Sequence, residues 1–281
     1  IEQNSEHDFI NDDIYAIIDD FFEDPLNDVK IDNVIEISKN QPFPISLSFI
    51  DLLIELLQSE QNIDQYISII AEIIQYPDEY FINPLPISRI IQCLLHFTNI
   101  SPEAISILTF FLKEAITLPE FDKIYSELNV IQNIEKQLQN NHQEIVIKSL
   151  IFFRYLLKTK LAFLPDNSII YYKILPMAVF SANPINIFAI HTLYHFTKSY
   201  IKFHIKNRHK IRKEDRERHL LAKQLALPEL FDALTQIEIN GDTFLLYLLK
   251  IFQLNTRICR VFHYNSEQIL KIVPILVSSL H

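Results

Sequence analysis

Glycine occurs once in this chain of 281 residues, at Gly241, and tryptophan does not occur at all. Phosphate-cradling loops and dinucleotide-binding turns need several glycines where the backbone must approach a ligand. A single glycine cannot supply them, which excludes nucleotide-binding enzymes of those kinds. Tight β-hairpins also draw on glycine, so the scarcity favours helices joined by Asn, Asp and Pro turns. Cysteine is nearly as rare. Cys93 and Cys259 form neither a disulfide framework nor a zinc motif, which points to a reducing compartment, cytosol or nucleus. No apolar run reaches the ~18 residues that a membrane span needs, because Lys173, Asn183 and His191 break the longest candidate. No signal-peptide pattern opens the sequence. A chain that begins at Ile1 without methionine is compatible with an excerpt of a longer protein.

What the chain has in abundance is apolar residues, 49% of the total, set at helical spacing. Ile10, Ile14, Ile17, Ile18 and Phe21 form one stripe, and Asp8, Asp12, Asp19 and Glu23 lie mostly off it. The first helix is therefore amphipathic with an acidic face. The same periodicity predicts helices at 45–58, 63–76, 88–98, 102–117, 129–139, 142–158, 169–180, 184–205, 228–238, 242–254 and 267–279. Strand patterns are weak. The expected class is all-α.

The turns carry a longer period. Asn40-Gln41-Pro42, Asn99 to Pro102, Asn140-Asn141, Asn183-Pro184 and Asn240-Gly241-Asp242 each separate a shorter helix from a longer one. Asparagine and aspartate accept bonds from free helix N–H groups, and proline suits a first helical turn. From Asn99 to Asn141 to Asn183 the step is 42 residues each time, and the steps on either side are 59 and 57. Repeats of ~40–47 residues are the unit of helical solenoids, in which each unit buries its apolar surface only by stacking on its neighbours. A further step of 42 from Asn240 passes His281, and the sequence is expected to stop inside a repeat.

The stretch "NVIQNIEKQLQNNHQEIVIKSLIFFRYLLKT", 129–159, resembles an armadillo repeat from its second helix onward. "YYKILPMAVFSANPINIFAIHTLYHFTKS", 171–199, is similar, and segments 227–255 and 32–59 match more weakly. The resemblance implies a right-handed α–α superhelix, here as a single repeat domain over 1–281, and a non-enzymatic scaffold that binds proteins or peptides. The chain departs from the family in having no glycine between the first and second helices of a repeat. Import adaptors of that family line their groove with tryptophan and asparagine, whereas the matching positions here are Ile151 and Tyr155. The signal-reading ladder of those adaptors is therefore not carried over.

Charge is divided along the chain. Residues 1–80 hold 19 acids and two bases, and residues 81–281 hold 16 acids and 23 bases, ten of these between Lys198 and Lys223. On a helix that begins after Asn183-Pro184, His191, His195, Lys198, Lys202, Lys206, His209, Lys213 and Arg216 fall within about 80° of arc. Leu193, Phe196, Tyr200 and Phe203 lie opposite. This stripe, on a long helix or insertion around 198–223, is the expected partner-binding surface, and an acidic protein or peptide is its expected partner. Two other uses of the same charge are binding of nucleic acid or anionic lipid through 198–218, and self-assembly of acidic and basic ends. A solvated charged insertion without a ligand is the plain structural reading, since Ile211 is the only apolar residue between Lys206 and His219.

Catalysis and metal binding find no support. His191 and His195 have the i,i+4 spacing of a helical zinc pair, but position 192 is threonine rather than glutamate and no third ligand lies in reach. Asp12/Asp13 and Asp19/Asp20 are adjacent and so do not share a helix face. No G-x-S-x-G elbow holds a serine nucleophile. No catalytic residue, metal site or cofactor is expected.

Overall fold

The computed structural model describes residues 5–40, 46–59, 61–75, 87–114, 121–157, 173–207 and 242–262. Within them the chain is mostly helical and contains no strand, so the protein is all-α. The helices are α1 (Ser5–Glu23), α2 (Asp28–Asn40), α3 (Leu47–Gln58), α4 (Ile63–Gln75), α5 (Ile87–Phe97), α6 (Pro102–Glu114), α7 (Phe121–Glu127), α8 (Val130–Gln137), α9 (Gln143–Leu156), α10 (Leu175–Phe180), α11 (Ile185–Asn207) and α12 (Asp242–Phe262). None of these is long and apolar enough to cross a membrane. The expected helices at 228–238 and 267–279 lie outside the described residues. The chain divides into two compact units, Ile1–Phe111 with Lys123–Asn133, and Leu112–Asp122 with Ile134–His281.

In the first unit the apolar stripe of α1 packs on α2 and α2 packs on α4, while α3 lies against α4 and α5. Phe21, Ile31, Val34, Phe49, Leu53 and Tyr66 are fully buried, and Phe21 and Phe49 meet with ring centroids 5.6 Å apart. Burial of side chains this large stabilises by roughly 1.5–3 kcal/mol each. Polar groups fix the register. Tyr66 donates its Oη–H to the carbonyl of Pro25 at 2.9 Å, and Asn62 Nδ2 donates to Asp28 Oδ1 at 3.2 Å. The start of α4 is thus fastened to the α1–α2 turn and to the start of α2. Lys30 donates to the carbonyl of Asp20 at 2.8 Å, a carbonyl near the end of α1 that also accepts from the N–H of Asp24 at 3.3 Å.

Asparagine stands in for the missing glycines. Asn62 and Asn129 have φ of 50° and 51°, the left-handed region that other residues avoid. Asn129 follows the last turn of α7, with its N–H on the carbonyl of Ser126 at 3.2 Å. Serine hydroxyls cap the starts of two of these helices. Ser46 accepts from the N–H of Phe49 at 3.3 Å to start α3. Ser101, rather than Asn99, accepts from the N–H of Ala104 at 3.4 Å to start α6. Cys93 is buried in α5, and burial pushes its thiol up to about 11, so it stays protonated and inert at neutral pH.

In the second unit, α11 lies against α9, α10 and α12. Ala189, Ile190, Leu193 and Phe196 of α11 meet buried Leu150 and Phe153 of α9, Ala178 and Val179 of α10, and Phe244, Leu248 and Ile251 of α12 in one apolar interior. Two bonds join α9 to α11 at one offset. Thr192 Oγ1 reaches the carbonyl of Leu150 at 3.1 Å, and Ser199 Oγ reaches that of Leu157 at 2.6 Å. Each pair is 42 residues apart, the step read from the turns. Lys173 and Glu135, both largely covered, pair at 3.0 Å.

Two outcomes follow from the packing. Asn129 is exposed, so Asn129→Val places a branched side chain at positive φ and costs about 1–2 kcal/mol, whereas Asn129→Gly is tolerated; urea denaturation of the two variants checks this. Tyr125 of α7 is buried and donates its Oη–H to the carbonyl of Leu108 at 2.7 Å, and burial raises its phenol well above the usual range. Below about pH 10 the phenol is neutral in both folded and unfolded chains and the bond contributes in full. Above it only the unfolded phenol ionises, so stability falls as pH rises. Tyr125→Phe should cost about 1 kcal/mol near neutral pH and make the alkaline fall shallower. It does not abolish that fall, because Tyr66 is also raised, chiefly by its burial.

Candidate partner-binding surface

The residues of the basic stripe begin on α11, which carries no acid between Ile185 and Asn207. His191 and His195 are half-buried and Lys198 is exposed. Lys202 and Lys206 continue the same helix to its end at Asn207. His209, Lys213 and Arg216 lie outside the described residues. The helix is thus 23 residues long, about 34 Å at 1.5 Å per residue.

Around His191 and His195 the fold assembles groups from three helices of the second unit. Arg154 of α9 places Nη1 3.0 Å from His191 Nδ1. A guanidinium only donates, so Nδ1 must be the acceptor and the proton of neutral His191 sits on Nε2. That Nε2 lies 3.1 Å from His195 Nε2, which is then the acceptor. The order is Arg154 to His191 to His195. The His191 ring is stacked on Tyr247 of α12, with centroids 3.9 Å apart and planes at 20°. Tyr194 meets His195 edge-on at 5.1 Å and Tyr247 at 5.8 Å.

Cations cover the tyrosine faces. Lys250 Nζ is 4.9 Å from the Tyr247 centroid and 5.7 Å from that of Tyr194. Lys198 Nζ is 5.9 Å from Tyr194, and Arg154 Cζ is 5.4 Å from the ring of Tyr155 on its own helix. Contacts of this kind contribute about 0.5–1 kcal/mol where exposed. They hold the cations in place without neutralising them. Among the described residues, Arg154, Lys198 and Lys250 form no ion pair with a carboxylate, and Arg154 Nε is buried without a hydrogen-bond partner. The described residues gather no group of three or more His, Cys, Asp or Glu side chains that could hold a metal ion.

Arg154, Tyr194, Tyr247 and Lys250 are absent from the stripe expected from sequence. The period of the turns contained part of the signal. A step of 42 back from Thr192 and Ser199 reaches Leu150 and Leu157, which lays Arg154 beside the histidines. The step of 57 from Asn183 to Asn240, applied to His191, lands one residue from Tyr247.

The chain matches no protein-family model, no curated protein and no solved structure.

The proton order gives a measurable consequence. At pH 8, long-range proton–nitrogen NMR correlations of His191 should show the Nε2–H tautomer, and Arg154→Met should allow both tautomers to appear. An Nδ1–H pattern in the unaltered protein would mean that Arg154 does not donate to this ring.

Proposed function

We propose that the chain is an armadillo-like α-solenoid working as a non-enzymatic scaffold, and that Arg154, His191, Tyr194, His195, Lys198, Tyr247 and Lys250 form the surface that takes an acidic segment of a partner protein. The observation that carries the reading is the set of three cations, held over tyrosine faces by three helices and, among the described residues, without a carboxylate partner. Like charges gathered in this way repel one another, and an incoming anionic segment relieves that repulsion. Arginine and tyrosine are also the residue types that anchor protein interfaces, because they combine a large apolar area with a polar tip.

Two observations support the solenoid. The bonds between α9 and α11 repeat at 42 residues, as bonds between equivalent helices of successive repeats do. The main helix contacts join elements one or two steps apart along the described order, the nearest-neighbour pattern of stacked repeats.

The test is fluorescence polarisation with a labelled, unstructured peptide of alternating Asp/Glu and Tyr/Leu. Lys198→Glu with Lys250→Glu should weaken its binding at least tenfold, with the helical circular dichroism unchanged. Undiminished binding in that variant overturns the assignment of the surface. Single-stranded RNA that binds more tightly than the peptide, with steep salt dependence, overturns the choice of a protein partner.

A further inference from the structure

The first unit carries a surface of the opposite kind. Tyr15 and Phe22 are seven residues apart on α1 and so share one face of it. Both are substantially exposed, as are Leu26 in the following turn, 49% exposed, and Val29 in the first turn of α2, 68% exposed. Single exposed apolar side chains are ordinary. Here four large ones fall within fifteen residues, beside a core that fully buries Phe21, Ile31 and Val34. The same stretch exposes Asp19, Asp20, Glu23, Asp24 and Asp28. Its only base, Lys30, is engaged with Asp20 at 3.4 Å. The segment exposes apolar side chains among acidic ones.

The tyrosine surface of the second unit is its complement. Leu246 is exposed on α12 four positions before Lys250, and so on the same face as that lysine, and Lys198 is exposed on α11. Each surface presents uncovered apolar area among charges of one sign, and the signs are opposite. We infer that the α1–α2 face of one copy docks on the tyrosine–lysine surface of a second copy. This rests on the reading of that surface as a receptor for acidic segments and names the segment. Two different patches meet, so the contact is heterologous, and it propagates from copy to copy unless the rotation between copies closes a ring. The attraction is screened at high salt, since the Debye length falls from about 10 Å at 0.1 M to 3 Å at 1 M.

Sedimentation velocity of the full chain, over a hundredfold range of concentration, tests the inference. At 50 mM salt the sedimentation coefficient should rise with concentration, and at 500 mM it should stay at the monomer value. Asp19→Lys with Glu23→Lys breaks the acidic face, and Lys198→Glu with Lys250→Glu breaks the basic one. Each variant alone should remain monomeric. Mixed in equal amounts they should form a complex of two chains and no larger species, because each copy keeps one working face. A full chain that stays monomeric at 50 mM salt overturns the inference, as does assembly that survives both variants or a mixture that stays monomeric. If the acidic peptide binds while the chain is monomeric, self-docking alone fails and the scaffold reading stands. If neither occurs, both fail.

Discussion

The apolar side chains of α11 have to be covered from several directions at once, and the second unit is organised around that requirement. Ala189, Ile190, Leu193 and Phe196 are fully buried, and together with Thr192 and Thr197, also buried, they occupy more than one side of the helix. One neighbour cannot cover such an arc. Helices α9, α10 and α12 all pack on α11. The remaining arc is where His191, Tyr194, His195 and Lys198 emerge. The placement of the cationic surface is therefore a consequence of how the apolar arc is covered. The groups that reach it from outside α11 come from the two helices, α9 and α12, that flank the uncovered side.

Scarcity of glycine shapes how these helices end. A helix leaves four carbonyls and four N–H groups without partners at its ends, and a glycine after the last turn is the common solution. This chain uses two others. Asparagine takes the left-handed position at 129, after the last turn of α7. Elsewhere a hydroxyl from a neighbouring helix supplies the donor, as Ser199 does for the carbonyl of Leu157 at the end of α9. The second solution couples local structure to packing. The end of α9 is complete only when α11 is packed against it, so local structure and helix packing depend on one another.

The sequence made the helical class and most helix positions legible, because an apolar period of 3.6 needs no tertiary information. Helix α2 sits where the Asn40 turn implies a shorter helix. Helix α7 was not visible, since seven residues are too few to establish a period, and what holds it is the long-range bond from Tyr125 to Leu108. The caps were read on the wrong residue at Asn99, because asparagine and serine are nearly equal as caps and only geometry selects Ser101. On the surface, one-dimensional reasoning followed a single helix. It placed His191, His195 and Lys198 on one helix but had no means of drawing in Arg154 from α9 or Tyr247 and Lys250 from α12. Those contacts depend on how helices stack across gaps of 37 residues and more. The step of 42 residues was the one long-range signal in the sequence, and it reappears in the bonds from Thr192 and Ser199.

The cationic surface is costly to the fold, and this weighs on what it is for. Buried Nε of Arg154 lacks a hydrogen-bond partner, an omission that costs roughly 1–3 kcal/mol. The ion pairs present elsewhere, such as Lys173 with Glu135, show that the chain does place acids against bases where the fold benefits. Glutamate at position 246 of α12, exposed and four residues before Lys250, would neutralise that lysine without disturbing a buried side chain. Stability alone would therefore favour a neutral surface. Three helices instead hold cations over aromatic rings, a geometry that positions charge, and among the described residues no carboxylate pairs with it. Under the proposed reading an anionic segment completes this surface, and the exposed acids and apolar side chains of α1 and α2 have the charge and the contact groups to do so.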